Sequence, residues 1–387
     1  KRSKKENILI VNGGYYDGYN FCFIHLLLNS KKMADNNVFY APTTTLNLSY
    51  HKNLFLWILK FILRELSIIF ERKKIKIFFN SLKEGLFFYP SNLKKIFCFR
   101  LFLKSINLFK NIKTKKDLEN FKYKNVKIGD LVYDTYIRYK KEKTVNLKSK
   151  FLLFLIFTAI YNFEKYNYFF IKNKIRYVFS VDNAYIHNGL IQRLSIYKKI
   201  NYYVFSRTLP INQHIKKNSK KDFSNHPSYY ESSKIFLKLK NKRNKIIEAK
   251  KLLTKKFKGE IIPQESYMLK TAFSNIKKKI DKYEAIIFLH DFMDTAHGLG
   301  KNVFPDYYEW FINTLNFLRK NKLNKKVAIK VHPNSIWISK TIEKKLKEEN
   351  LDFVWLDPKI SNKYIFKKIS KFGITVHGTI IGELAYH

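Results

Sequence analysis

The sequence predicts an α/β protein built on doubly wound parallel sheets, and three observations carry that reading. The last hundred residues hold four short β-like runs separated by helix-like stretches, and each run stops at a polar cluster. A further strand–helix–strand unit spans residues 176–206. At 387 residues the chain exceeds one ordinary core. Two domains are expected, residues 1–270 and residues 281–387.

In the first domain, Asn7 to Val11 reads as a strand ending in Asn12-Gly13-Gly14, a turn where backbone can approach a ligand. Asn37 to Tyr40 is a second short strand, stopped by Ala41-Pro42. A Lys- and Phe-rich stretch from Leu54 to about Lys124 is mostly helical in pattern, and Gly129-Asp130 resembles a capped helix start. Arg176 to Val181 is a strand ending in Asp182-Asn183, followed by a helix from Tyr185 to about Lys199 and a strand from Asn201 to Phe205. Residues 213–280 are highly charged, with a Lys-rich helical pattern over Ser232 to Lys258 and a break at Pro263. They read as a solvated helix and a linker.

In the second domain the strands are Ala285 to Leu289, Val327 to Val331, Phe353 to Leu356 and Phe372 to Val376. The intervening helices are Tyr307 to Asn321, Ser339 to Asn350 and roughly Lys363 to Ser370. The clusters closing the strands are His290 to His297, His332-Pro333-Asn334, Asp357-Pro358 and His377-Gly378-Thr379. Ligands of such sheets bind outside the carboxyl ends of the strands, so four clusters in series predict a ligand edge.

The formal charge is +45, with Lys far in excess of Arg. Lys, Ile, Asn, Phe and Tyr are inflated together, as A/T-rich codons would produce. Whatever its origin, such a surface attracts anionic lipid headgroups and glycans. Sparse, scattered Arg argues against a specific nucleic-acid partner. Cys22 and Cys98, each flanked by Phe, lack CxxC spacing and read as reduced, buried thiols. No secretory h-region follows the basic start. The chain begins without Met and stops at His387 inside an apparent helix, so the C-terminal domain reads as incomplete. Leu54 to Phe70 is interrupted by Lys60, Arg64 and Glu65, and Phe151 to Ile160 is about half a span. Both read as buried or in-plane helices.

His332 leaves the sheet's edge, where an imidazole can donate to a phosphate oxygen or protonate a leaving phosphate. Thr379, at a helix start after His377-Gly378, can cap the helix or bind phosphate, and Glu383 one turn on can accept from ribose hydroxyls. His290, Asp291, Asp294 and His297 are chemically competent for a divalent metal, but their spacing matches no metal motif, and hydrogen bonding around a sugar or the domain hinge is favoured over it. Asp182 is either a general base for an acceptor hydroxyl or an N-cap, with Tyr185 beside it. Asp130 and Asp134 are acceptor-groove candidates that capping also explains, and Asp17-Gly18 is a further acceptor-loop candidate. Walker A, GxSxG, HExxH and GxGxxG patterns are all absent.

On Lys330-Val331-His332-Pro333-Asn334, His377-Gly378-Thr379 with Glu383-Leu384-Ala385, the Leu289 to His297 loop with Tyr308-Glu309-Trp310, residues 128–135 and Asp182-Asn183-Ala184-Tyr185, the chain resembles bacterial capsule and surface-polysaccharide biosynthesis glycosyltransferases. The resemblance implies two Rossmann-like domains facing a central cleft (GT-B-like), with the C-terminal one binding a nucleotide sugar. In similar enzymes that use CMP-activated sugars, a His-Pro element contacts the nucleotide phosphate; that role carries over to His332, and a phosphate role to Thr379. The sialyltransferases' acidic catalytic motif is matched at most by half, at Asp17-Gly18. Donor-side residues are then His290, Asp294, His297, His332, Asn334, His377, Gly378, Thr379 and Glu383, with Asp182 and His332 as catalytic candidates. The implied partners are a nucleotide sugar, a glycan or glycolipid acceptor and an anionic membrane surface at the cytoplasmic face, with no cofactor and no required metal. The alternatives are a teichoic-acid-type polyol-phosphate transferase and a noncatalytic basic adaptor for membrane or nucleic acid.

Overall fold

The computed structural model describes residues 7–12, 37–42, 56, 59, 63, 86–87, 95–140, 142–180, 182–205, 215–217, 223, 229–258, 260, 280–298, 303–332 and 337–386. The chain forms two compact units. Residues 1–140, 145–228 and 297–301 make the first, and residues 141–144, 229–296 and 302–387 the second. Among the residues singled out in the sequence, Asp17, Gly18, Cys22, Pro333 and Asn334 lie outside the described set.

The first unit contains, in order, β1 (Asn7–Asn12), β2 (Asn37–Pro42), β3 (Leu86–Phe87), α1 (Lys95–Lys110), α2 (Lys115–Glu119), β4 (Lys122–Tyr123), β5 (Val126–Lys127), α3 (Gly129–Lys140), α4 (Lys150–Lys172), β6 (Ile175–Ser180), α5 (Tyr185–Tyr197), β7 (Asn201–Phe205) and β8 (Ile215–Lys217). Its sheet runs β3-β2-β1-β6-β7-β8, parallel except for the antiparallel edge strand β8. The centre is β1, whose run Ile8-Leu9-Ile10-Val11 is buried throughout, as a parallel strand covered on both faces requires. Strand order reverses between β1 and β6, so the unit's switch point lies between Asn12 and Ser180. The expected α/β class and the βαβ unit of residues 176–206 are both present.

Two local expectations need correction. The helical reading up to Lys124 is broken by the β4–β5 hairpin. Its two turn residues, Lys124 (φ 48°) and Asn125 (φ 65°), take the left-handed conformations that a tight hairpin demands. Cys98, on α1, is half-buried rather than buried. The Phe151 to Ile160 run is part of the 23-residue α4, which packs into the core. Among the described residues no helix is long and apolar enough to cross a membrane. The α4 helix carries buried Glu164, which accepts from the Tyr123 hydroxyl at 2.6 Å and pairs with Lys124 at 2.7 Å. Of Leu54 to Phe70 only Leu56, Leu59 and Leu63 are described; all three are helical and exposed.

The second unit contains α6 (Tyr229–Lys238), α7 (Lys242–Phe257), β9 (Tyr283–Phe288), α8 (Tyr307–Lys320), a 3-10 turn at Asn324–Lys326, β10 (Val327–Lys330), α9 (Trp337–Glu349), β11 (Val354–Leu356), α10 (Asn362–Phe366), β12 (Ile369–Thr375) and α11 (Ile380–Tyr386). Its sheet is wholly parallel, in the order β11-β10-β9-β12. Ile286, Phe288, Ala328, Leu356 and Ile365 form its core, with Leu253, Ile380 and Leu384 packed against it.

Leu253 lies on α7, so the Lys-rich segment belongs to this unit and the boundary falls near Ser228 rather than at residue 270. That segment is two helices, interrupted at residues 239–241. The expected helix from Lys363 to Ser370 ends at Phe366, because Ile369 already pairs with Tyr283 as the start of β12.

Gly129 is fixed by close packing: a Cβ there would lie 1.8 Å from the Leu118 carbonyl oxygen and 2.8 Å from the Phe121 backbone nitrogen. Gly129→Ala should destabilise the protein by at least about 1–3 kcal/mol, the usual cost of overpacking. A urea-unfolding midpoint equal to that of the wild type would show that this contact relaxes freely.

Candidate functional site

In the second unit the central strand β9 is apolar from Ala285 to its end, and polar side chains appear as the chain leaves the sheet. From Ala285 the chain is buried through Leu289, and the next residue is His290. The neighbouring β10 is followed by His332, and β12, on the other side of β9, by His377. Because the three strands are adjacent and parallel, all three imidazoles emerge at one edge. The His290 ring stacks near-parallel with His332 (centroids 5.7 Å) and His377 (6.0 Å). Tyr307, the first residue of α8, stacks on it at 4.5 Å. The order β11-β10-β9-β12 reverses between β9 and β12, so His290 and His377 flank the topological switch point.

The loops bearing these rings are fixed by hydrogen bonds. The Tyr307 hydroxyl donates to the Thr295 carbonyl at 2.9 Å. Asp306 caps α8, accepting from the Glu309 N–H at 2.7 Å and from the Thr144 hydroxyl at 2.6 Å. Asp291 accepts from the Met293 N–H and from the Ser339 hydroxyl, joining the β9 loop to α9. The Thr375 hydroxyl donates to the His377 carbonyl at 3.0 Å. Gly378 has φ +118°, a conformation that side-chain-bearing residues rarely adopt, and a Cβ there would come 3.8 Å from His290 Cδ2.

Burial sets the electrostatics. It pushes the His332 pKa down to about 4, helped by the neighbouring His290 and Lys330 and opposed by Asp291. The ring is therefore neutral at neutral pH. Lys330 is buried at the end of β10 and donates to the Pro358 and Ile360 carbonyls at 3.2 and 3.0 Å. Burial lowers its pKa to about 8, against the attraction of Glu383 and Asp357. The Nδ1 of His290 is buried with no hydrogen-bond partner among the described residues.

The structure brings together His290, His332 and His377, with Gly378 beside His290. Glu383 is buried, accepting from Asn362 Nδ2 at 3.0 Å. This bond ties α11 to α10, so the carboxylate expected at a ribose is engaged within the unit. Thr379 is exposed at the start of the seven-residue α11, and its carbonyl accepts from the Gly382 N–H at 3.1 Å. Asp294 is half-buried and accepts from the Thr295 N–H. His297 belongs to the first unit, where its Nδ1 meets Asp134 Oδ1 at 2.7 Å. Among the described residues no three His, Cys, Asp or Glu side chains converge as a metal site. Tyr307 was missed. Its only sequence signal was a place just after a capping Asp, which says nothing about the partner of its ring.

No protein-family model, curated protein or solved structure matches the chain.

At the first unit's carboxyl edge, Asp182 Oδ1 accepts from the Asn183 and Ala184 N–H groups at 2.7 and 3.1 Å. Its carbonyl accepts from the Ser180 and Tyr202 hydroxyls. The turn-forming role is thus present at Asp182. Tyr185 follows with φ 60°, a strained conformation for a tyrosine, and stacks on His187 at 5.5 Å. Asp130 and Asp134 are both buried, Asp130 in an ion pair with Arg193 at 2.6 Å and Asp134 with His297, so neither lines an open groove.

Burial disfavours a charged His297, but the charge and hydrogen bond of Asp134, aided by Asp130 and Glu119, outweigh it and raise the pKa. A raised folded-state pKa gives stability that is fully present below the unfolded imidazole value and lost as pH climbs through the folded one. His297→Gln should therefore lower the melting temperature more at about pH 6 than at about pH 9, on either side of the imidazole range. Equal losses at both pH values would mean that ionisation of the pair contributes nothing.

Proposed function

We propose that the protein is a glycosyltransferase that takes a sugar from a nucleotide-activated donor, with a CMP-linked sugar the first candidate. The observation that carries the reading is the His290–His332–His377 group stacked with Tyr307 at the switch point of a parallel sheet. Flat rings at such an edge suit a nucleotide, and imidazole N–H groups suit its phosphate. Transfer needs stabilisation of a departing nucleotide phosphate, which fixed donors supply without a metal. The proposal includes a GT-B-like arrangement at the cytoplasmic face of the plasma membrane. The second unit binds the donor, and the first presents a glycan or lipid-linked acceptor, with Asp182 activating its hydroxyl.

The neutral state of His332 refines its role. A group with a pKa near 4 is a poor proton donor at neutral pH, whereas a phosphate beside it favours the charged ring. Donor binding would then draw in a proton and place a cation against the leaving phosphate.

A thermal-shift screen of CMP, CDP, UDP, GDP and their sugars tests the reading, since a ligand of the folded state raises the melting point. A CMP compound should raise it, and His332→Ala, still folded, should weaken that ligand by roughly 10-fold or more, as loss of a charge-assisted hydrogen bond predicts. Wild-type affinity should also rise as pH falls from about 8 to about 6, in step with proton uptake. Absence of any nucleotide shift, or full affinity in the alanine variant, would remove the group from a donor site.

Asp182→Asn keeps the size and acceptor oxygen needed by the turn but removes basicity. The proposal expects turnover to fall by about 100-fold or more with donor affinity unchanged. Near-normal turnover would leave Asp182 a turn-former only.

A further inference from the structure

The Lys-rich segment of the second unit reads from sequence as a solvated helix, yet its apolar residues are not covered. On α6, Ile235, Phe236 and Leu237 are 56%, 38% and 64% exposed, and on α7, Ile246, Ile247 and Leu252 are 44%, 50% and 46% exposed. On α7 only Lys242 and Leu253 are withdrawn from solvent among the side chains described, and Leu253 supplies the anchor to the core. Exposed Ile, Phe and Leu in such density mark an interaction surface.

Charge says what the partner is. Residues 234–258 carry eleven Lys or Arg and one acidic residue, Glu248, which is already paired with Lys245 at 2.7 Å. Along one side of α7, Ile247, Lys250, Lys251, Thr254, Lys255 and Lys258 line an open groove of about 520 Å³. A second copy of this surface would meet it with like charge. Nucleic acid would be expected to select clustered Arg and stacking aromatics, whereas here there is one Arg, Arg243, among lysines and aliphatics. An anionic bilayer matches both features, because lysines reach headgroup phosphates while aliphatic and phenyl side chains enter the acyl boundary.

We infer that α6 and α7 form an in-plane docking surface for anionic lipid, with Ile235, Phe236 and Leu237 entering the interface and Lys250, Lys251, Lys255 and Lys258 holding headgroups. This inference is independent of the donor site, so failure of either leaves the other standing.

The test is flotation of the full chain with phosphatidylcholine vesicles, with and without roughly 30 mol% phosphatidylglycerol. Lys250, Lys251, Lys255 and Lys258 are changed together to Gln in one variant. In a matched control the exposed α9 lysines Lys340, Lys344, Lys345 and Lys347 are changed, leaving the same net charge. The α7 variant should bind anionic vesicles roughly 100-fold or more weakly, with the α9 control close to wild type. Ile235→Ser, Phe236→Ser and Leu237→Ser together should weaken binding by about 10-fold or more.

Hydrogen exchange of the unmodified protein gives a readout free of folding defects: vesicles should protect residues 229–258 above all other segments. Equal weakening by both lysine sets, no effect of the apolar triple, protection elsewhere, or preference for a poly(U) oligonucleotide over anionic vesicles would each overturn the inference.

Discussion

The second unit depends on the burial of β9. Ala285, Ile286, Ile287 and Phe288 are covered on both faces, and β9 pairs in parallel with β10 on one side and β12 on the other. A strand so placed disfavours polar side chains: Glu284 sits near its start, half-buried and paired with Lys326 and Lys371, and the next polar residue, His290, appears where the backbone leaves the sheet. Parallel pairing aligns its neighbours' ends at the same edge. The grouping of His290, His332 and His377 is therefore a consequence of packing a parallel sheet. Their stacking adds aromatic contact to a position that hydrogen-bond geometry already defines.

The charged side chains that pay for burial are held by partners of specific kinds. Lys330 donates to two carbonyls of the β11–α10 turn and feels Glu383, which Asn362 in turn holds. Asp130 holds Arg193, whose guanidinium also lies 3.5 Å over the Phe223 ring. Breaking such a pair leaves an uncompensated buried charge, so these contacts fix loops and helix positions more than they add net stability. The two histidines show how neighbours decide the outcome. Burial opposes protonation of both, yet carboxylates around His297 raise its pKa, while an imidazole and an ammonium beside His332 lower it further. One ring is drawn towards its charged form, and the other is held neutral at neutral pH.

The high formal charge acquires meaning from position. Lysines spread by composition alone would yield only a diffuse field. On α6 and α7 they share exposed surface with uncovered Ile, Phe and Leu, while Leu253 holds α7 to the core. That combination distinguishes a surface from a composition.

Much of the architecture was legible because it is local. The βαβ unit of residues 176–206, the four C-terminal strands and their polar ends follow from short apolar runs and turn chemistry, and the observed strands begin or end within a few residues of them. What the sequence could not supply were partners distant in the chain. Asp134 and His297 are 163 residues apart, Asp130 and Arg193 63, and Asn362 and Glu383 21. These pairings hold four residues expected at a ligand, Asp130, Asp134, His297 and Glu383, in internal contacts. Tyr307 joined the histidines for the same reason. The Lys-rich helices read as a linker because their charge obscured the single anchoring face around Leu253. Sequence by itself determined the class of each element and the chemistry at each strand end, since those depend on neighbours within a few residues. Strand order, and hence which polar ends meet at a switch point, was decided only by the tertiary structure, because it depends on which buried surfaces pack together across the fold.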